Sequence, residues 1–269
     1  MSFFTLADTT EFETVVIRVK NRDKMIAFYR DLIGFTLKGE ENALAIMEIE
    51  EEKKERLWLE ESPRADEHFG EIKKLYQYTL TLNSVAELSD LYARLEKNEY
   101  PIVHSEFEDE IRFVLLDPEE NQLKIRVRNQ EQIQDRTQLL ALAKGKFAKL
   151  SKDSSIQTIH LNVTDQKKEA NFLQNILGFQ LDSDNPNHYY SENRDFGVTL
   201  HFSNSQAVKV DPTEILGLEI LRFAVTKTGM EKLEQHLLNS KQDYYIDKKK
   251  TILTIYDPLG IEWWFVSKK

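Results

Sequence analysis

The chain has 269 residues, 41% of them hydrophobic and 30% charged, with 36 Lys and Arg against 46 Asp and Glu for a net charge of −10. That length fits two domains, and that charge counts against non-specific nucleic-acid binding, which depends on phosphate neutralisation. There is no cysteine, so disulfides, thiolate nucleophiles and cysteine metal sites are excluded.

Residues 1–10 carry neither a basic region nor a long apolar run, and no stretch approaches the ~20 apolar residues of a membrane helix. The expected location is therefore the cytoplasm, with no membrane partner. The alternating β-branched run from Phe12 to Val19 predicts a strand. Met25, Phe28, Tyr29 and Leu32 follow at i, i+3, i+4 and i+7, the spacing of a helix face, and Gly34 stands where a helix end takes a left-handed residue. Short strands are predicted at 43–49 and 56–60.

Residues 64–71 join this module to a second. There, 76–82 reads as a strand, and Leu88, Leu91 and Leu95 mark a helix. Residues 112–116 lead to the turn Asp117-Pro118 and a final strand at 123–127. Residues 131–150, with Ile133, Leu139, Leu140 and Leu142 at helical spacing, predict a linking helix. The chain then repeats itself. Val19 matches Val163, Phe28 matches Phe172 and Gly34 matches Gly178, each at an offset of 144 (178 − 34). Phe172, Leu173 and Ile176 mark the helix of the third module, with strands at 189–190 and 198–202. Residues 203–212 join it to the fourth, which has a strand at 220–225, a helix with Met230, Leu233 and Leu237, a strand at 252–256, Asp257-Pro258, and a last strand at 261–266.

Four β-α-β-β-β modules, with a helix ending in Phe-Tyr-x-x-x-Ile/Leu-Gly-Phe (Phe28 to Phe35, echoed by Phe172 to Phe179) and Asp-Pro before a last strand, resemble the vicinal oxygen chelate superfamily, which includes glyoxalase I, bleomycin-resistance proteins and extradiol dioxygenases. The text around Phe28-Tyr29 and Trp263-Trp264 looks most like the CppA family of streptococci, which carries the label of a complement-degrading proteinase. The resemblance implies an α+β fold, with modules paired into two glyoxalase-like domains at 1–130 and 154–269 around the linking helix at 131–153. Each domain is expected to curve around one cup. A complement protein is a partner only if that label holds, and exposed edge strands leave a homodimer open.

The superfamily's metalloenzymes take His, Gln or Glu from the first strand of each module and from the last strand. Carried across, those positions hold Thr14, Gln77 and Lys124 in the first half and Thr158, Ile220 and Trp264 in the second. Only Gln77 has a metal-binding side chain in register, so no metal or other cofactor is expected. A site displaced by two residues, built from His160, His201 and Glu262, is the alternative.

Strand alternation assigns the remaining candidates. In the first half Lys124, Arg126 and Arg128 share a face, with Arg18 on the first strand and Gln77, Thr79 and Thr81 adding neutral donors. That cationic set suits a small anionic ligand; equally, the cations could pair with Glu48 and Glu60. In the second half His160, Asn162, His201, Arg222, Glu262 and Trp264 would line a pocket with aromatic walls, Tyr189 or Tyr190 among them, or Trp263 and Trp264 are ordinary core and rim aromatics. For proteolysis there is no His-Glu-x-x-His, no Gly-x-Ser-x-Gly and no cysteine nucleophile, and Asp182-Ser183-Asp184 lacks the paired loops of aspartic proteases. Three functions stay open: a small-molecule binding protein, an enzyme (proteinase, lyase or dioxygenase), and an interaction protein whose cups are filled by their own side chains.

Overall fold

The computed structural model describes residues 4–6, 10–49, 52–65, 73–203 and 215–268. Most of both joining segments, 66–71 and 204–212, lies outside the described residues. All four modules have the order strand, helix, three strands. The first is β1 (Glu11–Val19), α1 (Arg22–Ala27), β2 (Thr36–Glu41), β3 (Leu44–Ile49) and β4 (Lys54–Glu61). The second is β5 (Leu75–Thr81), α2 (Val85–Lys97), β6 (His104–Phe107), β7 (Glu110–Leu116) and β8 (Gln122–Arg128). After α3 (Arg136–Ala141) come β9 (Ser155–Val163), α4 (Gln166–Asn171), β10 (Gln180–Leu181), β11 (His188–Tyr190) and β12 (Gly197–Phe202). The last module is β13 (Gly217–Val225), α5 (Lys227–Ser240), β14 (Tyr245–Ile246), β15 (Ile252–Tyr256) and β16 (Glu262–Ser267).

Each helix starts on a side-chain oxygen. Asn21, Ser84, Asp135, Asp165 and Thr226 accept from the backbone N–H three residues on, satisfying a donor the helix cannot. The helix ends depart from the α spacing read in the sequence. Phe28–Ile33 and Phe172–Ile176 are π-helical, with Gly34 N–H bonded to the Tyr29 carbonyl at 2.9 Å and Leu177 N–H to that of Phe172 at 3.0 Å. The wider turn lets the adjacent Phe28 and Tyr29 both go inside. Gly34 and Gly178 are left-handed, at φ +104° and +69°. The Asp-Pro turns close as expected: Asp117 Oδ1 accepts from the N–H of Glu119 and Asn121, and Asp257 Oδ1 from those of Leu259 and Ile261.

The strands form two eight-stranded mixed sheets, one made of β1–β4 and β13–β16, the other of β5–β12. Module one therefore shares a sheet with module four, and module two with module three, where consecutive modules were expected to pair. The reason lies in strand pairing: β1 takes β13 as its antiparallel partner, with Thr14 beside Arg222 and Val15 beside Leu221. Contacts divide the chain into two discontinuous units. The first comprises Met1–Arg18, Arg64–Tyr76 and Thr158–Lys269; the second, Val19–Pro63 and Gln77–Gln157.

In the first unit an aromatic core stacks Phe223 on Trp263 at 5.6 Å and Phe12 on Phe196 at 3.9 Å. In the second unit the linking helix is shorter than the sequence suggested, running only over Arg136–Ala141. Its continuation is diverted by α2: the N–H groups of Lys144, Gly145, Lys146 and Phe147 all donate to the Asp90 carboxylate at 2.7–2.9 Å. Arg94 holds the carbonyls of Leu32, Ile33 and Phe147 nearby. These fixed side-chain partners compete with helical bonds and win. No helix among the described residues is long and apolar enough to cross a membrane.

Candidate functional site

In the second unit, β5 runs parallel to β8, and β8 pairs antiparallel with β7. One face of these strands is apolar: Tyr78, Leu80, Leu123, Ile125, Val127, Ile111 and Phe113 are buried, and Tyr92 of α2 meets Phe113 edge-on at 5.3 Å. The opposite face is polar and ordered in rungs. Gln77 stands beside Gln122, Thr79 beside Lys124 and Thr81 beside Arg126; Arg112 flanks Arg126 from β7. Three of the candidates, Gln77, Lys124 and Arg126, thus share one surface.

The two guanidinium groups here are occupied. Arg126 donates to Glu110 Oε1 at 3.1 Å and to Thr81 Oγ1 at 3.1 Å, and reaches Gln157 at 3.4 Å. Arg112 is paired with Glu106, which also holds His104 at 2.7 Å. The counterion of Arg126 is therefore Glu110, not Glu48 or Glu60, which stand beside Glu55 and Leu44 in the β3–β4 pair. Lys124 differs: its ammonium is half-buried and makes no hydrogen bond or ion pair among the described residues. Burial, and next the positive fields of Arg126 and Arg112, hold its pKa below the usual lysine value, against the opposing pull of Glu110 and Glu106. On the same rung the Thr79 hydroxyl is buried without a partner. Gln77 donates its amide to Gln122 Oε1 at 3.2 Å.

In the first unit the set expected to share one pocket is divided. His160, Asn162 and His201 lie on β9 and β12, in the sheet of β5–β12, while Arg222, Glu262 and Trp264 lie on β13 and β16, in the other. His160 Nδ1 is 3.0 Å from His201 Nε2, and the His201 ring stacks on Tyr76 at 4.2 Å. Asn162 donates to the Lys73 carbonyl at 2.7 Å. Glu262 accepts from the Trp264 indole at 2.6 Å and from the Tyr256 hydroxyl at 3.1 Å. Both its oxygens are engaged on its own sheet, so the displaced site of His160, His201 and Glu262 is not assembled. Arg222 is held by Glu13 at 2.6 Å, and Arg18, on β1, by Glu219 of β13. Trp263 is wholly buried and donates to Asp257 at 3.1 Å, which makes it core; Trp264 is half-buried.

Two buried clusters escaped sequence reasoning. In the second unit Tyr29 donates to Asp117 at 2.9 Å and is hydrogen-bonded to Tyr78, with burial and then the Asp117 charge raising the Tyr29 pKa. In the first unit Glu169 lies 1% exposed, and neither carboxylate oxygen has a hydrogen-bond partner among the described residues. Burial and the neighbouring Asp257 push its pKa up to about 10. A cavity of about 710 Å³ in the second unit is lined by Phe35, Ala93, Arg94 and Phe147, and one of about 550 Å³ in the first by Phe172, Tyr256 and Pro258. Neither contains a candidate residue.

Family models for the N-terminal and C-terminal parts of CppA match residues 12–136 and 150–265. The chain belongs to the CppA family. The solved CppA protein from Streptococcus pneumoniae is 18% identical, with a TM-score of 0.65 over 96% of this chain and 99% of that one. A dioxygenase candidate from Bacillus subtilis is 12% identical, with a TM-score of 0.66 over 99% of this chain and 86% of its own. Glyoxalase I from Zea mays is 13% identical, with a TM-score of 0.55 over 96% and 92%. At these identities the likeness is one of fold. No curated protein sequence matches the chain.

The superfamily resemblance read in the sequence implies a divalent metal at positions that hold Gln77, Lys124, Ile220 and Trp264 here. Lys124 brings a cation where an anionic ligand belongs, Ile220 offers hydrocarbon, and the Trp264 indole is a donor directed at Glu262; Gln77, whose Nε2 donates to Gln122, has only its Oε1 to offer. Among the described residues no three His, Asp or Glu side chains gather as a metal site would require.

Proposed function

We propose that this CppA-family protein binds a small anionic molecule on the polar face of β5, β8 and β7, with Lys124 as its counter-charge. One observation carries the reading: the Lys124 ammonium is half-buried with no hydrogen bond or ion pair among the described residues, whereas Arg126 and Arg112 beside it each hold a carboxylate. Arg112, Lys124, Arg126 and Arg128 outnumber Glu106 and Glu110 on this face, which favours an anion. Desolvating a cation without a partner is costly, and an anion that supplies the partner recovers that cost as affinity. Gln77 and Gln122 lie one rung away as neutral polar groups.

Isothermal titration of inorganic phosphate, acetate and pyruvate tests the reading. At least one should bind in the millimolar range or better, and Lys124→Met should weaken it at least about tenfold, ~1.4 kcal/mol. If none binds, or if Lys124→Met binds as well as the parent protein, the reading is wrong.

A further inference from the structure

We infer that the groove between α2, the turn from Arg30 into β2 and the segment 143–149 binds the monomeric anion of a medium-chain fatty acid, with the hydrocarbon along its floor and the carboxylate at its lysine rim. The groove lies wholly in the second unit, none of its lining residues is on β5, β7 or β8, and the inference is independent of the Lys124 reading. Space is the first requirement. The groove has a volume of about 710 Å³, within the range of small-molecule sites. Ala93, Ala143 and Ala148 line it with short apolar side chains, and Phe35 and Phe147 add aromatic surface. At Gly145, also in the lining, a Cβ would meet nothing within 4 Å. The walls are fixed in advance. The N–H groups of residues 144–147 are all held by Asp90, Arg94 holds the Phe147 carbonyl at 2.9 Å, and the Leu150 N–H donates to the Gly34 carbonyl at 2.9 Å. The segment is thus tied to α2 on one side and to the helix end at Gly34 on the other, so a ligand enters a preformed groove with little left to order.

Charge selects the ligand. In a chain of net charge −10, this lining sets Arg30, Arg94, Lys97 and Lys149 against Asp31 and Asp90. Both carboxylates are committed: Asp31 accepts from Arg30 at 2.7 and 2.8 Å, and Asp90 from the four backbone N–H groups. Arg94 donates to three neutral carbonyls, so it adds to the positive field without offering itself as a direct partner. The direct partners are at the rim: Lys97 is exposed at the end of α2, Lys149 is exposed beside Ala148, and the exposed Lys144 and Lys146 flank them. Lysine stems can also cover a hydrocarbon chain while their ammonium groups stay in water. Hydrocarbon below and cations at the edge match a molecule with one apolar tail and one negative end. An inorganic anion would leave the floor uncovered, and an uncharged lipid would leave the cations unanswered.

Octanoate, decanoate and dodecanoate are the probes, titrated into the full-length protein by calorimetry at low salt and below their micelle concentrations. Affinity should rise about two- to fourfold for each added methylene, the gain expected of a chain half to fully buried. Decanoate should bind more tightly than 1-decanol, which has a tail of the same length and no charge. Ala93→Trp fills the floor and should weaken decanoate at least about tenfold. Lys97→Glu reverses a rim charge and should weaken it about fivefold, an effect that shrinks as salt is added. Lys124→Met should leave decanoate binding unchanged, which separates this groove from the face of β5, β8 and β7. Affinity that is flat with chain length, 1-decanol binding as tightly as decanoate, binding that survives Ala93→Trp, or binding lost in Lys124→Met would each overturn the inference and leave the Lys124 reading standing. Circular dichroism checks that Ala93→Trp is folded. If it is not, Lys97→Glu at the exposed end of α2 decides, and unchanged affinity there overturns the inference.

Discussion

Replacing Glu169 by Gln should stabilise the protein at neutral pH, and by an amount that grows with pH. Glu169 occupies α4, is 1% exposed, and has no hydrogen-bond partner for either oxygen among the described residues. Its neighbour Asp257 is also buried, with its pKa raised to about 6, chiefly by burial and against the hydrogen bonds from Trp263 and the Ile261 N–H. Two buried carboxylates cannot both ionise cheaply, so Glu169 keeps the proton, with its pKa raised from 4.5 to about 10. The folded state therefore binds more protons than the unfolded state between those values. Glu169's contribution to stability is fully present below pH 4.5 and is lost as pH rises towards about 10. From 4.5 to neutrality the loss is roughly 2.5 pH units at ~1.4 kcal/mol each, or about 3 kcal/mol. Gln is close to the shape of protonated Glu and needs no proton, so the variant escapes this loss. Urea unfolding of both proteins at about pH 5, 6, 7 and 8 measures it. The two should nearly coincide at about pH 5 and diverge by roughly 1.4 kcal/mol per unit above it. Parallel stability profiles across that range would refute the reasoning, because they would mean that Glu169 ionises in the folded state as readily as in the unfolded chain.

Other expectations follow from the scaffold. A Cβ added at Gly178 would meet the Phe4 carbonyl oxygen at 2.4 Å and Thr5 Cα at 2.6 Å, at φ +69°, whereas at Gly34 the nearest atoms are at 3.2 Å. Gly178→Ala should therefore cost about 1–3 kcal/mol in chemical denaturation and clearly more than Gly34→Ala. Asp90→Ala removes the acceptor of four N–H groups and should cost about 2 kcal/mol or more, with faster hydrogen exchange confined to residues 144–147 and unchanged exchange in β13–β16. Tyr29→Phe orphans the Tyr78 hydroxyl and takes one donor from Asp117, so it should lower stability by about 1–3 kcal/mol; Tyr78→Phe leaves the Tyr29–Asp117 bond and should cost less.

Which parts of this were legible in the sequence follows from how local each interaction is. The four modules were readable because β-branched alternation, helix spacing and the Asp-Pro turns are each written within about ten residues, as Val15, Ile17 and Val19 in β1 illustrate. The pairing of β1 with β13 was not, since Thr14 and Arg222 meet across more than 200 residues and either first strand of the second half offers similar edges. That single choice separated His160 and His201 from Glu262 and set Arg18 against Glu219. Arg126 was recognised as a surface cation, but its carboxylate depends on the register of the β7–β8 hairpin, which puts Glu110 within reach. The end of the linking helix was missed for a related reason: its N–H groups turn to Asp90, 54 residues away in the sequence.

Glu169 was within reach of sequence reasoning. Glu169, Phe172, Leu173 and Ile176 fall at i, i+3, i+4 and i+7, and at the offset of 144 the first copy places Met25 where the second has Glu169. A carboxylate on the buried stripe of an amphipathic helix violates the pattern that builds the helix, and such violations mark strain or function. The two copies solve the same problem differently. In the first, Asp117 is hydrogen-bonded by Tyr29 and Asn121, and Met25 packs as hydrocarbon; in the second, Asp257 is hydrogen-bonded by Trp263, and a second acid is added beside it. The polar face of β5, β8 and β7 makes the same kind of departure, since Lys124 places a cation at a half-buried position of β8 where it makes no ion pair among the described residues. Each exception puts an ionisable group where folding alone would not place one, Glu169 as a protonated acid at a cost to stability above pH 4.5 and Lys124 at a half-buried position without an ion pair among the described residues.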